Sequence, residues 1–183
     1  MPMLVQPVLD LVLLVLVIAA AVTDLARRRI PNMLLLAGWV AALPLFLLSA
    51  QPGAALLGAL TGALCGLLVF LPLYLLRGMA AGDVKLMATV GLFVGPYDAL
   101  HVAVVTCCVG GVMALAIIVS KRRVRSAIAN LGDLLRPLWM RLQGMPAATE
   151  PMRQDSVGSM PYGLAIAVAT LLQIFNKNGG NFL

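Results

Sequence analysis

Apolar residues fall into long unbroken blocks separated by short polar punctuation. Runs at about 4–23, 33–50, 54–76, 99–120 and 159–176 approach or reach the roughly 20 apolar residues that carry a helix across a hydrocarbon core. A shorter block, 84–95, follows Asp83 and stops at Gly95 and Pro96, which break a helix. Together these predict an all-α integral membrane protein with six transmembrane helices, the fourth short. Within 121–158, Val124, Ile128, Leu131, Leu135, Leu138 and Leu142 recur at steps of four and three, with arginines around them. That spacing makes one helical face, so an amphipathic helix lying on anionic lipid is expected between spans 5 and 6. Pro137 is placed to kink it. The polar stretch "GMPAATEPMRQDSVGS" after it reads as a flexible loop.

The basic residues test the span count. Arg27, Arg28 and Arg29 follow span 1, Arg77 and Lys85 flank the junction of spans 3 and 4, and seven more lie between spans 5 and 6. With six alternating spans, 12 of the 13 Lys and Arg residues share one side and Lys177 alone is opposite. The positive-inside rule makes the crowded side cytoplasmic. Removing span 4 would throw the arginines after span 5 to the outside. The chain is therefore expected to cross a membrane several times, with 121–158 a basic cytoplasmic loop.

Composition agrees. Hydrophobic residues are 62% of the 183-residue chain and charged residues 11%, against about 25% charged in ordinary soluble domains. One transmembrane domain over 1–183 is expected. The first run has no basic leader segment and is too long for a cleavable signal, so it reads as a retained helix. The net charge of +6 suits a membrane surface and its lipids; no nucleic-acid partner is expected. Cys65, Cys107 and Cys108 lie inside apolar runs without a Cys-x-x-Cys pair, which suggests buried small hydrophobes. No metal and no cofactor are expected.

Two carboxylates interrupt this apolar pattern at one membrane depth. Asp24 ends span 1 in "AAAVTDLARRRIPNML", and Asp83 begins span 4 in "LYLLRGMAAGDVKLMATVGLF". Each has a plain reading: Asp83 as an N-cap and Asp24 as a partner of the arginines behind it. The sharper reading is a dyad. Two carboxylates about 4 Å apart repel by roughly 4 kcal/mol at an effective dielectric near 20, so one holds a proton while the other stays ionised. That combination suits hydrolysis of a peptide bond through water. Other routes are poorly supplied. The lone histidine, His101, lies at the far end of span 5, and H-E-x-x-H is absent. Asp10 lies deeper in span 1 with no evident partner and reads as structural.

With these residues in view, the chain resembles a type IV prepilin peptidase, one of the GxGD-type membrane aspartyl proteases. "TDLARRRIPN" is similar to the first-aspartate segment, "AAGDVKLMA" to the second, and "MPYGLAIA" to the Pro-aromatic-Gly start of the last helix. The resemblance covers most of the chain. It departs at Ala80, where the family's Gly-x-Gly-Asp has its first glycine; alanine is small enough for packing to survive. Gly82 remains, and a glycine there allows close backbone approach or a positive φ. The resemblance implies Asp24 and Asp83 as the catalytic pair of an aspartic endopeptidase. It would remove the short basic leader from prepilins or pseudopilins at the cytoplasmic face. It also implies the short, peptidase-only form without methyltransferase activity, similar to those of Flp-type, tight-adherence pilus systems.

Gly82 and Lys85 are the supporting residues, Lys85 shaping the local field or snorkelling to the interface. Pro31 suits the first turn of helix 2. Pro161, Tyr162 and Gly163 are expected to shape the last helix without performing chemistry. Asp83 begins a helix, where the macrodipole favours an anion, and Asp24 ends one; the expectation is Asp83 as resting base and Asp24 as proton carrier. A small proton- or ion-coupled transporter is the alternative, and a non-enzymatic membrane assembly protein is a third. Oligomeric state is not legible.

Overall fold

The computed structural model describes residues 2–76, 78–120 and 162–179. Among them are six helices: α1 (Pro2–Arg27), α2 (Asn32–Leu47), α3 (Pro52–Leu75), α4 (Ala81–Val94), α5 (Pro96–Ser120) and α6 (Tyr162–Gly179). The expected amphipathic helix and basic loop lie outside the described residues. Three helices are long and apolar enough to cross a membrane, within Leu4–Arg27, Pro52–Leu75 and Pro96–Ser120. Asn32–Leu47 and Tyr162–Lys177 are shorter apolar helices. The described residues are all-helical, and the long apolar helices among them make this a membrane protein.

The chain divides into two units. Met1–Gly110 with Pro161–Leu183 forms the first, and Gly111–Met160 the second. Of the second, only the last turns of α5 lie among the described residues.

In the first unit, α4 is the hub. It touches α1, α2, α3 and α6, and α1 also packs on α2 and α6. Ten of its fourteen residues are buried. The surrounding helices sort their apolar residues by face. Along α1, Leu4, Val8, Leu11, Val15, Ile18, Val22 and Leu25 are exposed at steps of four and three, while Leu13, Val17, Ala20 and Asp24 are buried on the opposite face. A lipid-facing side of this kind carries no hydrophobic penalty in a bilayer. Asp24 thus continues the inward stripe of its own helix.

The closest packing joins α3 to α4, because glycines remove the side chains that would separate the backbones. A Cβ on Gly62 would overlap the Gly91 carbonyl oxygen, one on Gly91 would overlap the Gly62 carbonyl, and one on Gly66 would overlap the Met87 carbonyl. Small residues allow such approach between membrane helices. Gly91→Val should therefore wedge the pair apart and lower stability by about 1–3 kcal/mol, read as a lower melting temperature in detergent. Gly58→Ala, where a Cβ meets nothing within 4 Å, should cause no loss.

The predicted break at Gly95 is present. Gly95 closes α4 with φ +84, a conformation that L side chains rarely adopt, and Pro96 opens α5. Other details differ from expectation. Pro31 is the cap residue before α2, with φ −66 and ψ 129, not its first turn. Cys107 and Cys108 are exposed on α5, not buried, and Cys65 is intermediate. Asp10 does have a partner, since Gln6 Nε2 donates to its Oδ1 at 3.2 Å. His101 Nδ1 pairs with Gln173 Oε1 at 2.7 Å, tying α5 to α6.

Candidate active site

Four helix ends meet at one end of the first unit: the last turn of α1 and the first turns of α2, α4 and α6. Asp24 lies inside the last turn of α1, which continues to Arg27. Its carbonyl accepts the Arg28 N–H at 2.8 Å. Arg28 then takes a left-handed conformation, φ 53, which turns the chain sharply away from α1. The Arg28 side chain lies within electrostatic range of Asp24.

Asp83 is the third residue of α4, not its cap. Ala80 is the cap residue, with φ −80 and ψ 153. The Asp83 carboxylate reaches back to accept the Ala80 N–H at 3.3 Å. This is half of a capping box; the alanine side chain has no oxygen for the other half. The ordinary backbone angles at Ala80 also show that its Cβ is accommodated without strain. Gly82 does not use a glycine's conformational freedom, because its φ is not positive. A Cβ there would meet Ile30 Cβ at 3.4 Å, an ordinary contact.

Both carboxylates are withdrawn from the surface, Asp24 at 6% and Asp83 at 5% exposure. They lie within electrostatic range of one another, on helices that touch. The 59 positions that separate them along the chain are closed by the packing of α4 against α1. Burial matters because a buried carboxylate must be hydrogen-bonded, paired or protonated.

The site also holds a contact that sequence reasoning missed. The backbone N–H of Gly163 donates to Asp24 Oδ2 at 2.8 Å, and the bond is buried. A Cβ on Gly163 would lie 2.8 Å from that oxygen, 3.0 Å from Asp24 Cβ and 3.1 Å from Asp24 Cγ. Glycine is therefore required by close approach. Tyr162, beside it, is within electrostatic range of Asp83. The start of α6 bonds to one half of the pair and lies within electrostatic range of the other. The available signal was a glycine just inside a predicted helix start, which more often marks packing than chemistry.

Lys85 is not turned to the pair. Its Nζ donates to Asn32 Oδ1 at 3.2 Å, linking α4 to α2. One turn on, Trp39 Nε1 donates to Thr89 Oγ1 at 3.0 Å, and Thr89 Oγ1 donates to the Lys85 carbonyl at 2.9 Å. These residues edge an open, largely apolar groove of about 550 Å³ between α2, α3 and α4. A double-mutant cycle with Asn32→Ala and Lys85→Met should give a coupling of about 0.5–1 kcal/mol in thermal or denaturant unfolding; strict additivity would show that the bond is absent in solution.

Among the described residues no cluster of three or more His, Cys, Asp or Glu offers a metal site. What the arrangement presents is two buried carboxylates from neighbouring helices of a membrane protein, each accepting a backbone N–H, Asp24 at 2.8 Å and Asp83 at 3.3 Å. The chain belongs to the type IV leader peptidase family, whose sequence pattern matches residues 11–115. It is thus a protease by family, and both aspartates fall within the matched residues. Searches of curated proteins and of solved structures gave no match.

Proposed function

We propose that this protein is an aspartic endopeptidase that removes the short basic leader from prepilins or pseudopilins, with Asp24 and Asp83 as its catalytic pair. The observation that carries this reading is the meeting of two buried carboxylates within the part of the chain that matches a leader peptidase family. On this reading six spans cross the inner membrane, the pair faces the cytoplasm, and 121–158 is the basic cytoplasmic loop. The clustering of basic residues supports that orientation. Lys85 supports the site by bonding α4 to α2, and Gly82 by leaving clear the space between it and Ile30. A Flp-type pilus system is the setting that the resemblance suggests.

The chemistry needs one proton shared between two acids. The ionised carboxylate takes a proton from a water molecule, and the oxygen of that water bonds to the scissile carbonyl carbon. The protonated carboxyl gives its proton to the carbonyl oxygen. The tetrahedral intermediate then collapses, the C–N bond breaks, and the departing amine takes a proton from the pair. Neither a covalent enzyme intermediate nor a histidine is required. Burial excludes bulk water and strengthens each interaction with developing charge.

The test is direct. Purified protein in liposomes is mixed with a prepilin carrying a basic leader and a hydrophobic helix, and the product is weighed by mass spectrometry. Shortening at the junction of leader and helix supports the peptidase. Ion flux without shortening would favour the transporter, and binding alone would favour an assembly protein.

A further inference from the structure

We propose that the Gly163 N–H sets the polarity of the pair, so that Asp24 is the base and Asp83 carries the proton. The inference rests on the peptidase reading above and reverses what the helix ends alone suggest. Asp24 lies in the last turn of α1, where the macrodipole disfavours an anion. The structure supplies a counterweight from a different helix. The first N–H groups of a helix have no partner inside it, and one of these, from Gly163, is spent on Asp24 Oδ2 at 2.8 Å. Hydrogen bonds to an ionised acceptor are about twice as strong as neutral ones.

Asp83 has a poorer donor. Its bond from Ala80 N–H is 3.3 Å, beyond the usual range for N–H to oxygen. Both carboxylates feel a helix N-terminus, Asp83 that of α4 and Asp24 that of α6, so the shorter direct bond to Asp24 is what separates them. Among the described residues the other groups near the pair are few. Arg28 stands near Asp24, and Tyr162 near Asp83, with Cys107 of α5 near Tyr162 in turn. Lys85 on α4 is engaged with Asn32. α2 carries no charged residue, and α3 contributes only Tyr74 as a titratable side chain besides Cys65. Of these two cations Arg28 stands beside Asp24, on the same side as the shorter bond, while Lys85 is held by Asn32.

The polarity can be read from pH profiles. Installing glycolic acid at position 163 turns the amide into an ester, which deletes the N–H and adds no side chain. If Asp24 holds the charge when the pair is singly ionised, losing the donor hinders the first ionisation and leaves the second alone. The acidic limb of prepilin cleavage should then move up by about one to two pH units while the alkaline limb stays. An alkaline limb that moves instead makes Asp83 the base and overturns the proposal. A fall in rate with neither limb moved reduces Gly163 to a spacer and also overturns it.

A second measurement needs neither the ester nor activity. The infrared carboxyl band of the remaining acid is titrated in Asp83→Asn and in Asp24→Asn, each in liposomes. Asp24 should ionise at the lower pH, and the reverse order sinks the proposal. Native protein that never cleaves a prepilin would instead defeat the peptidase reading, and the infrared order would still report the polarity.

Discussion

Asp24→Asn and Asp83→Asn should each abolish leader removal, lowering kcat by at least about 1,000-fold, while the protein still inserts and melts as a folded bundle. General acid–base catalysis contributes about 10²–10⁴-fold, and here each variant removes a group that must work with the other. The amide of asparagine is close in size to the carboxyl it replaces, so packing around the 5–6% exposed side chains survives. The two changes should not add. Once one acid is gone the shared proton has no second site, and the double variant should be no worse than either single one. Retention of a tenth or more of normal kcat by either variant would remove that carboxylate from the mechanism. The assay is single-turnover cleavage of a prepilin in liposomes, with thermal melting as the control on folding.

Gly163→Val should be the next most damaging change. Its Cβ would fall 2.8–3.1 Å from three atoms of Asp24, so the acid or the start of α6 must shift. A misplacement of about 1 Å at a reacting group can cost 100-fold. The expected result is a fall in kcat of about that size. Gly163→Ala should act in the same direction and less strongly. Near-normal cleavage by the valine variant would mean that the contact between α1 and α6 is not kept during turnover.

Much of this arrangement was legible in residue order, for physical reasons. The helical blocks are visible because a hydrocarbon core demands long apolar runs, and α1, α3 and α5 answer that demand. Asp24 and Asp83 stood out because they interrupt apolar runs at one membrane depth, inside segments that resemble a known pair. Their meeting depends on α4 lying against α1, and apolar packing of that kind has no residue-by-residue code. The place of Asp83 in its helix shifted from cap to third residue because helix boundaries are the least legible part of a sequence. Gly163 was hidden for another reason. It acts through its backbone across 139 residues of chain, and an N–H group looks the same in every residue but proline. The bond from Lys85 to Asn32 was hidden likewise, because the two are 53 residues apart.

The brevity of α4 bears on where solvent comes from. Fourteen residues rise about 21 Å, whereas a typical hydrocarbon core is about 30 Å thick. In the six-span arrangement proposed here, the bilayer must pucker around this central helix or leave a dimple at one of its ends. The tight seam of glycines between α3 and α4 keeps α4 from sliding to split the deficit. A dimple at the Asp83 end would bring the aqueous phase down to the carboxylates, so hydrolysis beneath the headgroups would require no pore.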